Sequence, residues 1–331
     1  MKDFYAIIII KYEEAMKSRL PAAFHKILGK RVIDYMLENV AALSPKEIFV
    51  LLEKEEHLQH IKAAPVKATC LIGAAAQSIV EKLGDAEIML IEGAEITPYP
   101  TIVDRQTFAE VAYEIMIDIN NTHMENGVNI IDPAGTFIGS DVKIGMDTII
   151  YPGAIIEGNT IIGQSCRIGQ SCRIVDTKIG DGVEIWNSTC LEAEIGDDTT
   201  VGPFAYLRPK SIVGKNCRIG DFVELKNTIF GDGSKASHLS YIGDATIGKE
   251  VNIGCGTITV NYDGKTKNRT VVEDEAFIGS GTNLIAPVTV GKGAYTAAGS
   301  TITNDVPSCD LAIARARQEN KDGWANKKRG K

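Results

Sequence analysis

The sequence predicts a parallel β-helix in its C-terminal half, preceded by a small α/β domain. Two observations predict this. From about Ile138 an aliphatic residue followed by glycine recurs at steps of six or multiples of six, with slips: Ile138-Gly139, Ile144-Gly145, Ile162-Gly163, Ile168-Gly169, and so on to Ile278-Gly279 and Val290-Gly291. A short repeat of that kind marks a solenoid. The first hundred residues have a different grammar, in which short apolar runs alternate with helical spacing.

Taken in order, residues 5–10 read as a buried strand. Residues 31–42 carry Val32, Tyr35, Met36 and Val40 at helical spacing. Residues 47–52 and 88–91 read as two further strands. From Asp104 to Asn126 the pattern is helical again, with Phe108, Val111, Ile115 and Ile119 at three- and four-residue steps and Gly127 as a C-cap. The expected organisation is therefore an α/β domain over 1–102, a linker helix over 103–127 and the β-helix over 128–331. In the β-helix, each hexapeptide supplies one strand and one turn. The aliphatic side chain points inward and stacks on its equivalent one coil along, and three faces make a coil of about 18 residues. The glycine is expected to supply a turn conformation that a Cβ would oppose.

Composition bounds the function. The 331 residues suit about two domains. A net charge of −8 argues against non-specific nucleic-acid binding, which needs cationic surface. No apolar run approaches the length of a membrane span, and the N-terminal run is too short for a signal-peptide core. The seven cysteines form no CxxC pair and suit reduced, buried thiols in a cytoplasm. Cys166, Cys172 and Cys217 each precede an arginine at matching repeat positions, so core packing outweighs metal binding. His25, His57 and His60 read as surface residues, with a His57/His60 metal site only a weak alternative.

Two features carry chemistry. The stretch between Thr259 and Phe277 breaks the repeat with a polar, basic segment containing Asp263-Gly264, a turn signal. A loop projecting from a regular scaffold is a common place for binding residues. The second is His238, the single histidine beyond Asn126. Imidazole, with a free pKa near ~6.5, is suited to general-base work at neutral pH. Spacing alone divides evenly between that role and an ordinary surface or core histidine.

The segments Gly202-Pro203-Phe204-Ala205-Tyr206-Leu207-Arg208-Pro209, Asp221-Phe222-Val223-Glu224-Leu225-Lys226, 235–244, 251–264 and Ala297-Ala298-Gly299-Ser300-Thr301-Ile302 are long and contiguous. Through them the chain resembles the bifunctional UDP-N-acetylglucosamine pyrophosphorylase/glucosamine-1-phosphate N-acetyltransferase family, from about Gly127 to Trp324. The resemblance implies a left-handed β-helix that takes acetyl-CoA as co-substrate and needs no metal for acetyl transfer. It also implies a homotrimer with sites between neighbouring subunits, in the cytoplasm, binding neither nucleic acid nor membrane. His238 matches the catalytic base, and Arg208 and Lys226 match cations that hold the sugar-1-phosphate. Tyr241 and Asn252 match sugar-binding positions and Lys267 a substrate-side lysine. Asn261 and Tyr262 match positions near the acetyl group and its coenzyme; Ser280, Ala298 and Arg315 match coenzyme A contacts. Glu224 is expected to orient the imidazole, and Asn261 is one candidate for the oxyanion donor. The tail Lys327-Lys328-Arg329 reads as solvated. An acetyltransferase for another amino sugar and a non-catalytic scaffold are the alternatives.

The same resemblance makes the first domain a degenerate nucleotidyltransferase remnant. Where the family has a glycine-rich phosphate loop, this chain has Tyr12-Glu13-Glu14. Carboxylates there would repel phosphate, by roughly 4 kcal/mol per pair of unit charges at ~4 Å and an effective dielectric of 20. Ala22 stands for a lysine and Ala94 for a metal-binding aspartate. Val103 precedes Asp104 where a metal-binding asparagine is expected. Leu71-Ile72-Gly73-Ala74-Ala75-Ala76 lacks polar nucleobase contacts, and about half the domain is missing between Ala94 and Val103. Uridylyl transfer is expected to be lost, leaving the remnant to cap the solenoid, support assembly or bind a partner.

Overall fold

The structure, a computed structural model, describes residues 4–11, 13–62, 64–72, 83 and 86–330. Tyr12 and Gly73–Ala76, named in the sequence reading, lie outside the described residues. The chain divides into two compact units: Met1–Lys143 with Pro152–Asn159, and Ile144–Tyr151 with Thr160–Lys331.

The first unit is built on a four-stranded parallel sheet in the order Thr69–Ile72, Ile48–Leu52, Phe4–Ile9, Glu87–Glu92. The apolar run of Phe4–Ile9 is central, pairing Ala6 with both Ile48 and Met89. Thr69–Ile72 gave no clear signal in the sequence because it is four residues long and only partly buried. The helix Val32–Ala42 buries Val32, Ile33, Met36, Leu37 and Val40 against the sheet, following its spacing. The long helix Arg105–Glu125 opens at Asp104, whose side chain accepts from the Thr107 amide in a capping box. It ends before Gly127, at φ 87°. Its stripe Phe108, Val111, Ile115 and Ile119 packs into the same core. His57 is not a surface residue: it is 4% exposed and packs on Phe24 and His60.

The second unit is made of three parallel sheets of short strands. One inward column runs Ile168, Ile185, Val201, Ile219, Ala236, Ile253, Ile278 and Thr296, each in register with the next. Its members are at most 3% exposed. Another runs Ile162, Ile179, Ile195, Val213, Phe230, Ile247, Val272 and Val290. Each coil covers its neighbours' apolar face, so stability is shared along the stack.

Apart from Gly202, at φ 100°, the repeat glycines act differently from the expectation. Gly145, Gly163, Gly196, Gly214 and Gly220 are not in the left-handed region. A Cβ on Gly220 would lie 1.9 Å from the Ser237 carbonyl oxygen, and one on Gly145 2.6 Å from the Gln164 nitrogen. These glycines therefore clear space for the backbone of the next coil. Positive φ falls two residues later, at positions such as Asp147, Ser165, Asp198 and Asn216.

All seven cysteines are free. Cys166, Cys172, Cys190 and Cys217 are buried, but Cys255 and Cys309 are exposed, against the expectation of a uniformly buried set.

Candidate active site

His238 ends the strand Lys235–His238 and is the register partner of Asp221 on the preceding coil. Its Nδ1 lies 2.5 Å from Asp221 Oδ1. The hydrogen bond from His238 holds the Asp221 carboxyl below its usual range, so it is an ionised acceptor. An ionised carboxylate cannot donate, so Nδ1 is the donor in this pair, and in the neutral imidazole Nε2 is the nitrogen with the free lone pair. Phe222 and Leu239, at φ 55° and 47°, turn the chain just after each partner. The two side chains therefore leave stacked corners with the same local geometry. Glu224 does not orient the imidazole: its carboxylate accepts from Arg208 Nη1 at 2.8 Å, and it stands on the next strand.

The cations gather at the other edge of that neighbouring sheet. Arg208 donates its amide to Leu225 and so lies beside Lys226 on the next coil. Lys226 is in register with Gly243, which precedes Asp244. Asp244 is 8% exposed and gathers three donors: Asn227 Nδ2 at 2.6 Å, Asn261 Nδ2 at 2.5 Å and Lys226 Nζ at 3.4 Å. Burial raises its pKa, but the hydrogen bonds from Asn227 and Asn261 and the Lys226 charge outweigh this and leave it lowered. Tyr241 folds over Gly243, where a Cβ would meet its hydroxyl at 2.4 Å, and that hydroxyl lies 3.5 Å from Asn261 Nδ2.

Lys267 comes back to this cluster on the loop that breaks the repeat. Twenty-five residues separate Ile253 from its register partner Ile278, against seventeen between Ala236 and Ile253. The surplus forms the loop, closed by pairing of Tyr262 with Lys267. Asp263 braces it by accepting from the Lys265 and Thr266 amides at 2.8 and 2.7 Å, which holds its carboxyl well below the usual range. The neighbouring Lys226, a like charge, lowers the Lys267 pKa. Tyr262 is exposed, with its hydroxyl donating to the Gly264 carbonyl.

The remaining candidates follow the registers. Asp221, His238, Cys255, Ser280 and Ala298 occupy one corner on successive coils. Ser280 and Ala298 are exposed there, and the Gly299 amide donates to the Ser280 carbonyl at 2.8 Å. Arg315 is exposed beside Gly299, its Cδ 3.9 Å from the place of a glycine Cβ. Asn252, partly buried, pairs with Lys235 one coil past His238 in the same sheet. The structure thus joins Arg208 to Glu224, and Lys226, Tyr241, Asn261 and Lys267 to one another. His238 stands five residues before Gly243, the partner of Lys226. That is at most ~16 Å of backbone, across one sheet face. Ser280 and Ala298 continue the corner column of His238, two and three coils on, with Arg315 beside Gly299 at its far end.

Asp221, Asp244 and Asn227 were missed in the sequence. Each lies seventeen residues from its partner, His238, Asn261 and Asp244 respectively, one coil length away. That interval was the available signal.

Among the described residues, the first unit has no matching arrangement at its parallel sheet's carboxyl end, where such sheets take ligands. Glu13 Oε2 accepts from the Ala22 amide at 2.8 Å, and Glu13 Oε1 is buried without a hydrogen-bond partner. Burial raises the Glu13 pKa. Ala94 is fully buried and pairs with Ile102, and the Asp104 carboxylate is committed to its helix cap.

The family described as bacterial transferase hexapeptide (six repeats) matches residues 135–170 and 192–227. Proteins called bifunctional protein GlmU are similar over much of the chain. That of Clostridium beijerinckii is 55% identical over 239 residues, covering 71% of this chain and 52% of the relative. That of Clostridioides difficile is 61% identical over 213 residues, covering 64% and 46%. That of Geobacillus sp. is 54% identical over 249 residues, covering 73% and 54%. The chain spans about half the length of these curated relatives. Over roughly 70% of its length, then, this chain is a homologue of the bifunctional protein GlmU, with a hexapeptide-repeat β-helix behind a small parallel α/β sheet.

Proposed function

We propose that this chain transfers acetyl from acetyl-CoA to the amine of glucosamine-1-phosphate, giving N-acetylglucosamine-1-phosphate for UDP-N-acetylglucosamine and cell-wall precursor synthesis. The observation that carries the reading is the His238–Asp221 pair at one edge of a sheet face whose other edge holds Arg208, Lys226 and Lys267. A phosphomonoester suits such a cluster: guanidinium grips phosphate oxygens bidentately and ammonium acts as a point charge. Tyr241 and Asn252 contact the sugar between phosphate and amine.

The amine nitrogen attacks the thioester carbonyl carbon, and His238 Nε2 takes the proton the nitrogen loses. Asp221 holds Nδ1–H and stabilises the imidazolium that forms. The tetrahedral intermediate collapses with loss of the carbon–sulfur bond, and coenzyme A leaves as its thiol with the proton returned by His238. Asn261 and Tyr262 lie at the acetyl end of the coenzyme, and Ser280, Ala298 and Arg315 along its length. The group transferred needs no metal to carry it. By family resemblance the working unit is a cytoplasmic homotrimer with each site shared between neighbouring subunits.

Uridylyl transfer is absent in this reading. The Glu13 carboxylate already takes the Ala22 amide, in the loop that would have to cradle phosphate. The test is a DTNB assay of released coenzyme A with glucosamine-1-phosphate. Turnover by wild type and its loss in His238→Ala supports the proposal. Turnover only on another amino sugar, or none at all, overturns it.

A further inference from the structure

The strand Glu87–Glu92 forms one edge of the first unit's sheet: it pairs with Phe4–Ile9, and among the described residues no strand pairs with its other side. Its backbone edge therefore presents unpaired donors and acceptors. Natural edges of this kind are usually blunted by prolines, bulges or inward charges. This one carries four consecutive apolar residues, Ile88, Met89, Leu90 and Ile91, with Met89 37% and Leu90 55% exposed. Met89 and Ile91 also line a groove of about 310 Å³ with Met36, Val40, Leu43 and Glu95.

The flanking charges say what fits. Glu87 and Glu92 bracket the apolar run, five positions apart. A second copy pairing antiparallel about the strand centre would set Glu87 opposite Glu92 at both ends, and directly opposed like charges destabilise a sheet. A strand with a cation at each end and apolar residues between them matches in either direction. Lys11 reaches Glu92 at 2.5 Å, but both side chains are about half exposed. An incoming lysine can therefore exchange with it at little cost.

We propose that Glu87–Glu92 is a strand-addition site for an extended peptide segment of a partner protein, in which basic residues five positions apart flank four apolar ones. Main-chain hydrogen bonds supply affinity, and the groove beside Met89 takes one apolar side chain.

The test uses the full chain and fluorescein-labelled peptides containing Lys-Val-Ile-Val-Val-Lys or Glu-Val-Ile-Val-Val-Glu. Anisotropy should saturate with the lysine peptide in the micromolar range and be at least tenfold weaker with the glutamate peptide. Leu90→Lys and, separately, Glu87→Lys should each weaken lysine-peptide binding at least tenfold with an unchanged circular dichroism spectrum. Hydrogen exchange of amides 87–92 should slow when peptide is bound. Equal binding of both peptides, no saturation up to millimolar, or no protection of these amides overturns the proposal. So does self-association of the wild type that Leu90→Lys abolishes, which would make the occupant a second copy.

Discussion

Asp221 and His238 are seventeen residues apart in sequence, yet their side chains meet at 2.5 Å because they are register partners on consecutive coils. The carboxylate fixes which imidazole nitrogen is protonated, and so which is free to act as base.

Removing the imidazole with His238→Ala should lower kcat by about 10²–10⁴-fold, the usual contribution of a general base. Asp221→Asn should lower kcat with KM for the sugar phosphate nearly unchanged, since it acts through His238 rather than on the substrate. Asp221 has a depressed pKa in the folded chain. Its favourable interaction is thus present above the ordinary carboxylate range and lost as pH falls through the folded value. The acid edge of the wild-type pH profile should change shape in Asp221→Asn, as steady-state rates across pH would record.

Asp244 joins the cation cluster to the loop. Asp244→Ala leaves the amides of Asn227 and Asn261 without their acceptor in a site that is 8% exposed. Stability should fall by about 1–3 kcal/mol, the cost of buried polar groups left unpaired. Thermal melts check this, and KM for the sugar phosphate should rise with it as Lys226 and Asn261 lose their anchor. The folded pKa of Asp244 is lowered, so this stabilisation too is complete above the ordinary carboxylate range and is lost on acidification.

Gly220→Ala should destabilise by about 1–3 kcal/mol or more, the range for overpacking a filled core. Its Cβ would be driven into the Ser237 carbonyl at 1.9 Å, and a main-chain atom cannot swing away. Gly264→Ala, with nothing within 4 Å but φ at +97°, is the control for conformational strain alone. A larger drop in melting temperature for Gly220→Ala would separate clearance from backbone freedom.

With UTP, Mg²⁺ and N-acetylglucosamine-1-phosphate, no pyrophosphate should be released. Glu13→Gly should not restore release, because Ala94 and the committed Asp104 leave the remaining ligands missing. A coupled pyrophosphate assay on both proteins checks this; release by either would mean the first unit retains a working site.

The repeat made the β-helix legible because burial in a solenoid is local in sequence: many inward residues are followed directly by a glycine that clears a neighbouring coil. The long helix was legible for the same reason, its cap and stripe lying within one segment. Pairings set by register were less legible. Glu224 is three residues closer to His238 in sequence than Asp221 is, but it stands on the strand after that of Asp221 and is held by Arg208. The Thr69–Ile72 strand escaped notice because pairing with Ile48–Leu52, and not its own pattern, makes it a strand.

The sequence by itself determined the architecture, the spacing of the coils and which side chains are able to bear chemistry, since these depend on periodicity and residue type. Tertiary structure decided the partnerships: Asp221 with His238, Asp244 with Asn261, Glu13 with the Ala22 amide. Those depend on where successive coils and loops fall against one another, a property of stacking that no single segment encodes.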